Sequence, residues 1–163
     1  MCYTETISNK GMNKMKIAIG CDHGGINLKQ ACIEKIEELG FSYTDFGTYD
    51  EKSVDYPDFA AKVAEVILSG EYDKGVLLCG TGIGIGIAAN KYKGIRCAHV
   101  TDAFCAQMSS EHNNANIISM GGRITTPEQA KEYLGIFLTT PFAGGRHALR
   151  VEKITKIEDK NFK

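Results

Sequence analysis

Short apolar runs alternate with amphipathic helical patterns along this chain from Met15 onward. The runs are rich in Ile, Val and Leu, and their length is typical of buried strands, which usually span about four to eight residues. They predict five β-strands, at residues 16–20, 42–46, 75–79, 95–100 and 116–120.

The segments between these strands carry apolar residues at the three- and four-residue spacing of an α-helix. Leu28, Cys32 and Ile36 define the first helix, and Gly40 ends it. A capping-box pattern at Thr126-Pro127-Glu128-Gln129 opens a later helix. The other helices are predicted at about residues 57–67, from residue 87, from residue 101 or 102 to 111, and from residue 146 to about 157.

Repeated alternation of strand and helix with short connections predicts a parallel sheet with helices on both faces. The expected fold class is therefore α/β, a three-layer Rossmann-like fold with a five-stranded parallel sheet. In such sheets ligands bind beyond the carboxyl ends of the strands. The loops after Gly20, Phe46, Cys79, Val100 and Met120 are thereby expected to share one region.

Length and composition narrow the class of protein. The 163 residues are predicted to form one domain over residues 15–163 with a C-terminal helix, after a disordered leader over residues 1–14. A net charge of −1 gives no reason to expect nucleic acid or an anionic membrane as a partner. Six cysteines without a Cys-x-x-Cys pair favour reduced thiols in a cytoplasmic protein.

A cysteine and a glycine-rich turn follow the third strand, in the order Cys79-Gly80-Thr81-Gly82-Ile83-Gly84. Such a strand-to-helix turn points backbone N–H groups at one spot, which suits a phosphate or a developing negative charge. A helix N-terminus also favours the reactive thiolate form of a nearby cysteine. A purely structural glycine turn is the alternative.

Nucleotide-binding motifs fit this loop poorly. A P-loop would end in Gly-Lys-Ser or Gly-Lys-Thr, which the run lacks. The dinucleotide pattern is met only from Gly84, inside the expected helix, and that pattern belongs to the first strand–helix turn of a Rossmann domain.

Polar residues follow the first two strands as well. Asp22 and His23 could form an acid/base pair, although Asp22 could instead cap the next helix and His23 could simply be exposed. Tyr56, near the start of the second helix, could face the pocket or cover the core.

Further candidates lie later in the chain. His112 at the end of a helix suits a proton donor, with a simple C-cap as the alternative. Arg146 and Arg150 are four residues apart on one helix face and suit a phosphate monoester, unless that face is merely solvated. The histidines His23, His99 and His112 show no local ligand spacing, so no metal is expected.

The chain resembles the type B ribose-5-phosphate isomerases, the family that also contains galactose-6-phosphate isomerase subunits. The similarity extends from about residue 15 to 157. The matching motifs are Gly20-Cys21-Asp22-His23, Asp55-Tyr56-Pro57, Cys79-Gly80-Thr81-Gly82-Ile83-Gly84, Glu111-His112-Asn113-Asn114-Ala115-Asn116, Gly121-Gly122-Arg123 and Gly144-Gly145-Arg146-His147.

The resemblance implies a role for each matching position. Cys79 would be the base that moves a proton between C1 and C2, with Thr81 close to the sugar oxygens and His112 as the proton donor for ring opening. The anion hole would be formed by Gly80, Thr81, Gly82, Ile83 and Gly84. The remaining substrate-binding positions would be Asp22, His23, Tyr56, Asn113, Arg123, Arg146 and Arg150.

The resemblance also implies the activity, an isomerase for D-ribose 5-phosphate and D-ribulose 5-phosphate that needs no metal or other cofactor. Six-carbon phosphosugars, allose 6-phosphate or galactose 6-phosphate, are alternative substrates, and a non-catalytic sugar-phosphate sensor is an alternative of another class. The family pairs subunits, which implies a homodimer or a dimer of dimers with shared active sites. The leader and His99 have no counterpart with a known role in the family.

Overall fold

The computed structural model describes residues 15–162, so the predicted leader lies outside the described residues. Within that range, five strands and six helices follow one another along the chain. Their bounds are β1 Lys16–Cys21, α1 Ile26–Glu38, β2 Ser42–Asp45, α2 Tyr56–Leu68, β3 Lys74–Cys79, α3 Ile83–Ala89, β4 Cys97–His99, α4 Ala103–Glu111, β5 Ile117–Gly121, α5 Pro127–Thr139 and α6 Arg146–Asn161.

The five strands form one parallel sheet in the order β2-β1-β3-β5-β4. Alternate residues of the central strands point to opposite faces, as the two-residue period of a strand requires. On one face Val76 and Leu78 pack with α1 and α5, and on the other Leu77 packs with α2 and α3. The predicted α/β fold with helices on both faces is confirmed.

The edge strand β4 spans only Cys97–His99, so the prediction of a strand over residues 95–100 is too long. Just before β4, the Arg96 N–H donates to the side-chain Oδ1 of Asn116 at 2.8 Å rather than to a backbone carbonyl of β5. The side chain of Asn90 then covers the open edge of β4. Its amide nitrogen donates to the Cys97 carbonyl, and its carbonyl oxygen accepts from the Cys97 N–H, both at 2.8 Å. A side chain thereby occupies backbone groups on the open edge of the sheet, where another strand could otherwise pair.

Two helices also differ from their predicted bounds. Helix α3 begins at Ile83 rather than Ile87, because Gly82 turns the chain in the left-handed region with φ of 78°. Helix α6 continues to Asn161, beyond the predicted end near residue 157. An ion pair of 2.7 Å between Lys93 and Asp159 ties its last turns to the rest of the chain. No helix among residues 15–162 is long and apolar enough to cross a membrane.

Different groups lie at the two ends of the parallel strands, which form the carboxyl edge and the opposite, amino edge of the sheet. At the carboxyl edge, Cys79 is paired in register with Gly121, and the Asp22 N–H donates to the Leu78 carbonyl. At the opposite edge, the half-buried Lys74 begins β3. Its Nζ donates to Ser110 Oγ at 3.2 Å and to the Ala115 carbonyl at 3.1 Å. Lys74 therefore holds the segment that follows α4 against the start of the central strand.

Burial and the nearby charge of Arg96 lower the pKa of Lys74 to about 8. The unfolded chain then binds more protons than the folded one between about pH 8 and 10.5, so the contribution of Lys74 to stability rises with pH in that window. Relative to Lys74→Met, we expect the wild-type free energy of unfolding to rise by about 2 kcal/mol from pH 8 to 10.5. Urea unfolding of both proteins at one concentration measures this, and a pH-independent difference would contradict it.

Candidate active site

Cys79 ends the central strand at the carboxyl edge of the sheet and is only 4% exposed. Its Sγ accepts a hydrogen bond of 3.1 Å from the Gly82 N–H. The turn that aims this N–H at the sulfur requires the left-handed conformation of Gly82, which a residue with a side chain adopts only with strain. A backbone donor at this distance stabilises negative charge on the sulfur.

Backbone segments approach the Cys79 loop very closely. A Cβ added at Gly121 would lie 2.5 Å from the Thr81 carbonyl carbon, and one at Gly25 would lie 2.7 Å from the Cys79 nitrogen. These contacts are to backbone atoms, which cannot rotate away as a side chain can. Glycine at both positions lets the ends of β1, β3 and β5 meet, which holds the loop in place.

A cavity of about 420 Å³ opens beside Cys79 at this edge. Its size is within the range of small-molecule sites. Nearly every strand-end candidate from the sequence lines it, and the lining residues are Asp22, His23, Gly24, Tyr56, Cys79, Gly80, Thr81, Ile83, Gly84 and Arg123. Gly82 belongs to the same loop through its bond to the sulfur.

Asp22 and His23 are both held by backbone groups. Asp22 Oδ1 accepts from the Gly24 N–H at 2.8 Å and from the Gly25 N–H at 3.2 Å, so the carboxylate closes the turn before α1. Gly25, not Asp22, is the N-cap residue of α1. His23 Nδ1 accepts from the Val54 N–H at 3.2 Å, which places the proton of a neutral ring on Nε2. That nitrogen is a donor available to a ligand.

Tyr56 and Arg123 form walls of the cavity. The Tyr56 ring lies against Gly84, where an added Cβ would be 2.7 Å from its Cζ, and the side chain is 39% exposed. Of the two alternatives for Tyr56, the structure therefore favours the cavity. The Arg123 guanidinium lies against Gly80, and the Arg123 N–H donates to the Gly80 carbonyl at 3.0 Å.

The backbone of the glycine loop supplies further donors. Within the part of the chain that the structure describes, the N–H groups of Thr81 and Gly84 donate to no protein acceptor. The first N–H groups of a helix have no acceptor inside the helix, so Gly84 leaves its donor for a ligand. Thr81 Oγ1 accepts from the Ile83 N–H at 3.3 Å, which leaves the Thr81 hydroxyl hydrogen free to donate outward.

His112 and Asn113 lie at the amino edge of the sheet, where the strands begin, whereas Cys79 lies at the carboxyl edge. In the sequence they lie between Ser110 and Ala115, and both of these residues contact Lys74 at the start of β3. Cys79 ends the same strand five residues later, about 16 Å away at the usual rise of about 3.3 Å per residue. Within one chain the structure does not bring His112 or Asn113 into the Cys79 cavity.

Arg146 lies beside His112, away from the Cys79 cavity. His112 is the C-cap residue of α4, and its ring stacks on His147 with 4.0 Å between centroids and 9° between planes. Arg146 Nε donates to His147 Nε2 at 3.4 Å. Gly144 and Gly145, with φ of 64° and 53°, turn the chain into α6 just before these residues.

Burial lowers the pKa of His147, and the positive charges of His112, Arg146 and Arg150 lower it further. A ring kept neutral among these groups can accept from Arg146 while the surrounding cations remain free to hold an anion. His112 is the C-cap residue of α4, which was the alternative interpretation of its position in the sequence. Its ring also lies in this cluster of cationic side chains.

Four further cysteines lie within residues 15–162. Burial raises the pKa of Cys21 to about 11 and that of Cys32 and Cys97 to about 12. Cys105 is exposed, and a hydrogen bond with Asp102 raises its pKa. The protonated form is therefore favoured at these four thiols.

The three histidines considered for a metal site have separate protein partners. His23 accepts from Val54, His99 contacts the Thr81 carbonyl, and His112 stacks on His147. Within residues 15–162, no three His, Cys, Asp or Glu side chains are grouped so as to hold a metal ion.

Sequence reasoning missed three contacts of the site. The Val54 amide orients His23, His147 stacks on His112, and His99 Nε2 donates to the Thr81 carbonyl at 2.8 Å. His147 was visible in the Gly144-Gly145-Arg146-His147 motif, but the stacking was not. A backbone amide such as that of Val54 leaves no signal in a sequence.

A thiol that accepts from a backbone N–H, amide donors without a protein acceptor and a small cavity lined by polar side chains are groups that acid–base catalysis can use. A family model described as Ribose/Galactose Isomerase matches residues 17–154. The chain belongs to this family and is an isomerase.

Known members resemble the chain over nearly their whole length. Ribose-5-phosphate isomerase B of Escherichia coli (strain K12) is 43% identical, over 89% of this chain and 97% of that protein. YwlF of Bacillus subtilis (strain 168), whose name assigns it only provisionally to the sugar phosphate isomerases, is 51% identical over 90% and 99%. A solved structure of ribose-5-phosphate isomerase B from Clostridium thermocellum is 51% identical, with a TM-score of 0.87 over 90% and 99% of the two chains.

Proposed function

We propose that this protein interconverts D-ribose 5-phosphate and D-ribulose 5-phosphate through an enediolate, with Cys79 as the base. The observation that carries the proposal is the hydrogen bond from the Gly82 N–H to Cys79 Sγ at the cavity of about 420 Å³. A thiolate fixed at a strand end beside free amide donors can take up a carbon-bound proton and leave the resulting charge stabilised.

The proton transfer needs one base and one set of donors. In the open-chain aldose, the Cys79 thiolate removes the proton from C2, and the electron pair moves to give the enediolate with negative charge on O1. A proton then passes from O2 to O1, so that the negative charge lies on O2. The Cys79 thiol, whose hydrogen exchanges with the solvent, protonates C1 as the C2 carbonyl forms, which yields the ketose. The N–H groups of Thr81 and Gly84, which have no protein acceptor, would donate to the developing oxyanion, and donors fixed by the backbone need no rearrangement to do so.

Ring opening and phosphate binding are assigned to the cluster around His112. His112 would give a proton to the ring oxygen of the furanose, and Asn113 would bind a sugar hydroxyl. Arg146 and Arg150, together on one face of α6, suit bidentate contacts to the phosphate. Binding the phosphate far from the reacting carbons orients C1 and C2 at Cys79.

The cluster around His112 lies at the amino edge of the sheet, and Cys79 lies at the carboxyl edge. We therefore propose that a second copy of the chain supplies this cluster to each Cys79 cavity. A homodimer, or a dimer of dimers, would then have shared active sites. Large apolar side chains exposed on the chain agree with an interface of this kind. They include Ile87, Phe104, Leu149, Ile154 and Ile157.

A panel of phosphosugars tests the substrate. We expect purified protein to isomerise ribose 5-phosphate with a higher kcat/KM than allose 6-phosphate or galactose 6-phosphate. Since the family description includes galactose isomerases, preference for a six-carbon sugar is the second candidate. Binding of all three sugars without turnover would contradict the isomerase and support a sensor.

Chelation tests the role of metals. Because amide donors stabilise the enediolate in this account, we expect exhaustive treatment with EDTA to leave kcat and KM unchanged. Activity that is lost on chelation and restored only by an added divalent cation would contradict this expectation.

A thiolate base also requires a reducing environment, so a cytoplasmic location remains our prediction.

A further inference from the structure

His99, the last residue of the edge strand β4, contacts the glycine loop that follows β3, although β5 lies between these two strands in the sheet. Its ring lies against Gly82, where an added Cβ would be 2.9 Å from Cδ2 and 3.0 Å from Nε2. Its Nε2 is 2.8 Å from the Thr81 carbonyl oxygen. A carbonyl oxygen can only accept, so His99 Nε2 carries the hydrogen and donates it.

The Thr81 carbonyl and the Gly82 N–H belong to one peptide group. That peptide therefore accepts from His99 at its oxygen and donates to Cys79 Sγ at 3.1 Å through its nitrogen. Hydrogen bonds in such a series polarise one another, and the bond to the oxygen also fixes the plane of the peptide. The direction of the N–H toward the sulfur is thus controlled by a side chain that does not touch the sulfur.

We propose that His99 is a positioning residue for Cys79, acting through the peptide between Thr81 and Gly82. Its expected effect on turnover rests on the proposed function. The effect of His99 on the reactivity of the Cys79 thiol is independent of the proposed function, because alkylating agents react with a thiolate whatever the substrate of the protein is.

Three substitutions distinguish the hydrogen bond from simple packing. In His99→Gln, the side-chain amide nitrogen can take the position of Nε2 and donate to the Thr81 carbonyl. In His99→Asn, the amide nitrogen falls short, near the position of Nδ1, and His99→Leu has no donor. A role in positioning predicts that only His99→Gln retains function.

Two readouts are measured on each variant. In His99→Leu and His99→Asn, we expect kcat with ribose 5-phosphate to fall about tenfold and KM to stay within about twofold of wild type. In His99→Gln, we expect kcat to stay within about threefold of wild type. Alkylation by iodoacetamide is followed at individual cysteines by peptide mass spectrometry. The midpoint of the pH profile at Cys79 should move upward in the Leu and Asn variants only, while Cys105 in the same molecules stays unchanged.

The outcomes separate the proposals. Equal losses in all three variants, unchanged Cys79 profiles, or parallel shifts at Cys79 and Cys105 would each overturn the positioning role. If the wild-type protein alkylates at Cys79 as expected but isomerises no phosphosugar, the proposed function fails. The comparison of the His99→Gln and His99→Asn alkylation profiles would still decide the role of His99.

Discussion

Replacing Cys79 with alanine is expected to lower kcat for ribose 5-phosphate by about 10²- to 10⁴-fold, the range that a positioned general base contributes. The methyl group cannot take up the C2 proton, and the Gly82 N–H loses the sulfur that it contacts. Substrate affinity should change little, because the phosphate is held elsewhere and the base acts chiefly in the transition state. Steady-state kinetics give kcat, and calorimetric titration with ribose 5-phosphate gives the dissociation constant.

Cys105→Ala is the matched control, since Cys105 is an exposed cysteine outside the cavity. We expect it to have wild-type kcat and KM. Near-normal turnover in Cys79→Ala would remove Cys79 from the role of base. Loss of binding together with turnover would instead assign it a role in forming the site.

Mixing two inactive variants is expected to restore activity if the sites are shared. Cys79→Ala lacks the base, and Arg146→Ala lacks a phosphate contact that would serve the neighbouring subunit. In a hybrid dimer, the subunit that keeps Cys79 receives Arg146 from its partner, so one of the two sites is complete. Random pairing gives hybrids in half of the dimers, so we expect about a quarter of wild-type activity.

A second pair of variants provides the control. Cys79 and Arg123 line the same cavity of one chain, so mixing Cys79→Ala with Arg123→Ala leaves no complete site in any dimer. This mixture should stay inactive. Native mass spectrometry of differently labelled subunits establishes exchange in both mixtures. Exchange without recovery in the Cys79→Ala and Arg146→Ala mixture would mean that each site is built within a single chain.

Much of the fold was predictable because its signals are local. Short continuous apolar runs indicate the strands and a period of 3.6 residues indicates the helices, and the capping box at Thr126 is present as predicted. The bounds of the edge strand β4 were not predictable, and neither were the two bonds from the side chain of Asn90 to the backbone of Cys97 that cover its open edge. Nothing in the spacing of Asn90 and Cys97 indicates this contact.

The candidate site was predictable only in part. The cavity residues follow strands, so the rule that strand ends meet at one edge brings Asp22, Cys79 and Arg123 together. His112 follows a helix that runs back across the sheet, which puts it at the other edge. Contacts between distant segments, such as His99 with Thr81, depend on the order of strands, which the sequence pattern did not reveal.

Incubation of ribose 5-phosphate with the protein in D₂O, followed by NMR, tests the central claim most directly. Transfer through a thiol base and an enediolate predicts ribulose 5-phosphate with deuterium at C1 and recovered ribose 5-phosphate with deuterium at C2. Cys79→Ala should show neither conversion nor exchange. No conversion by the wild-type protein, or conversion without any deuterium from the solvent, would contradict the account.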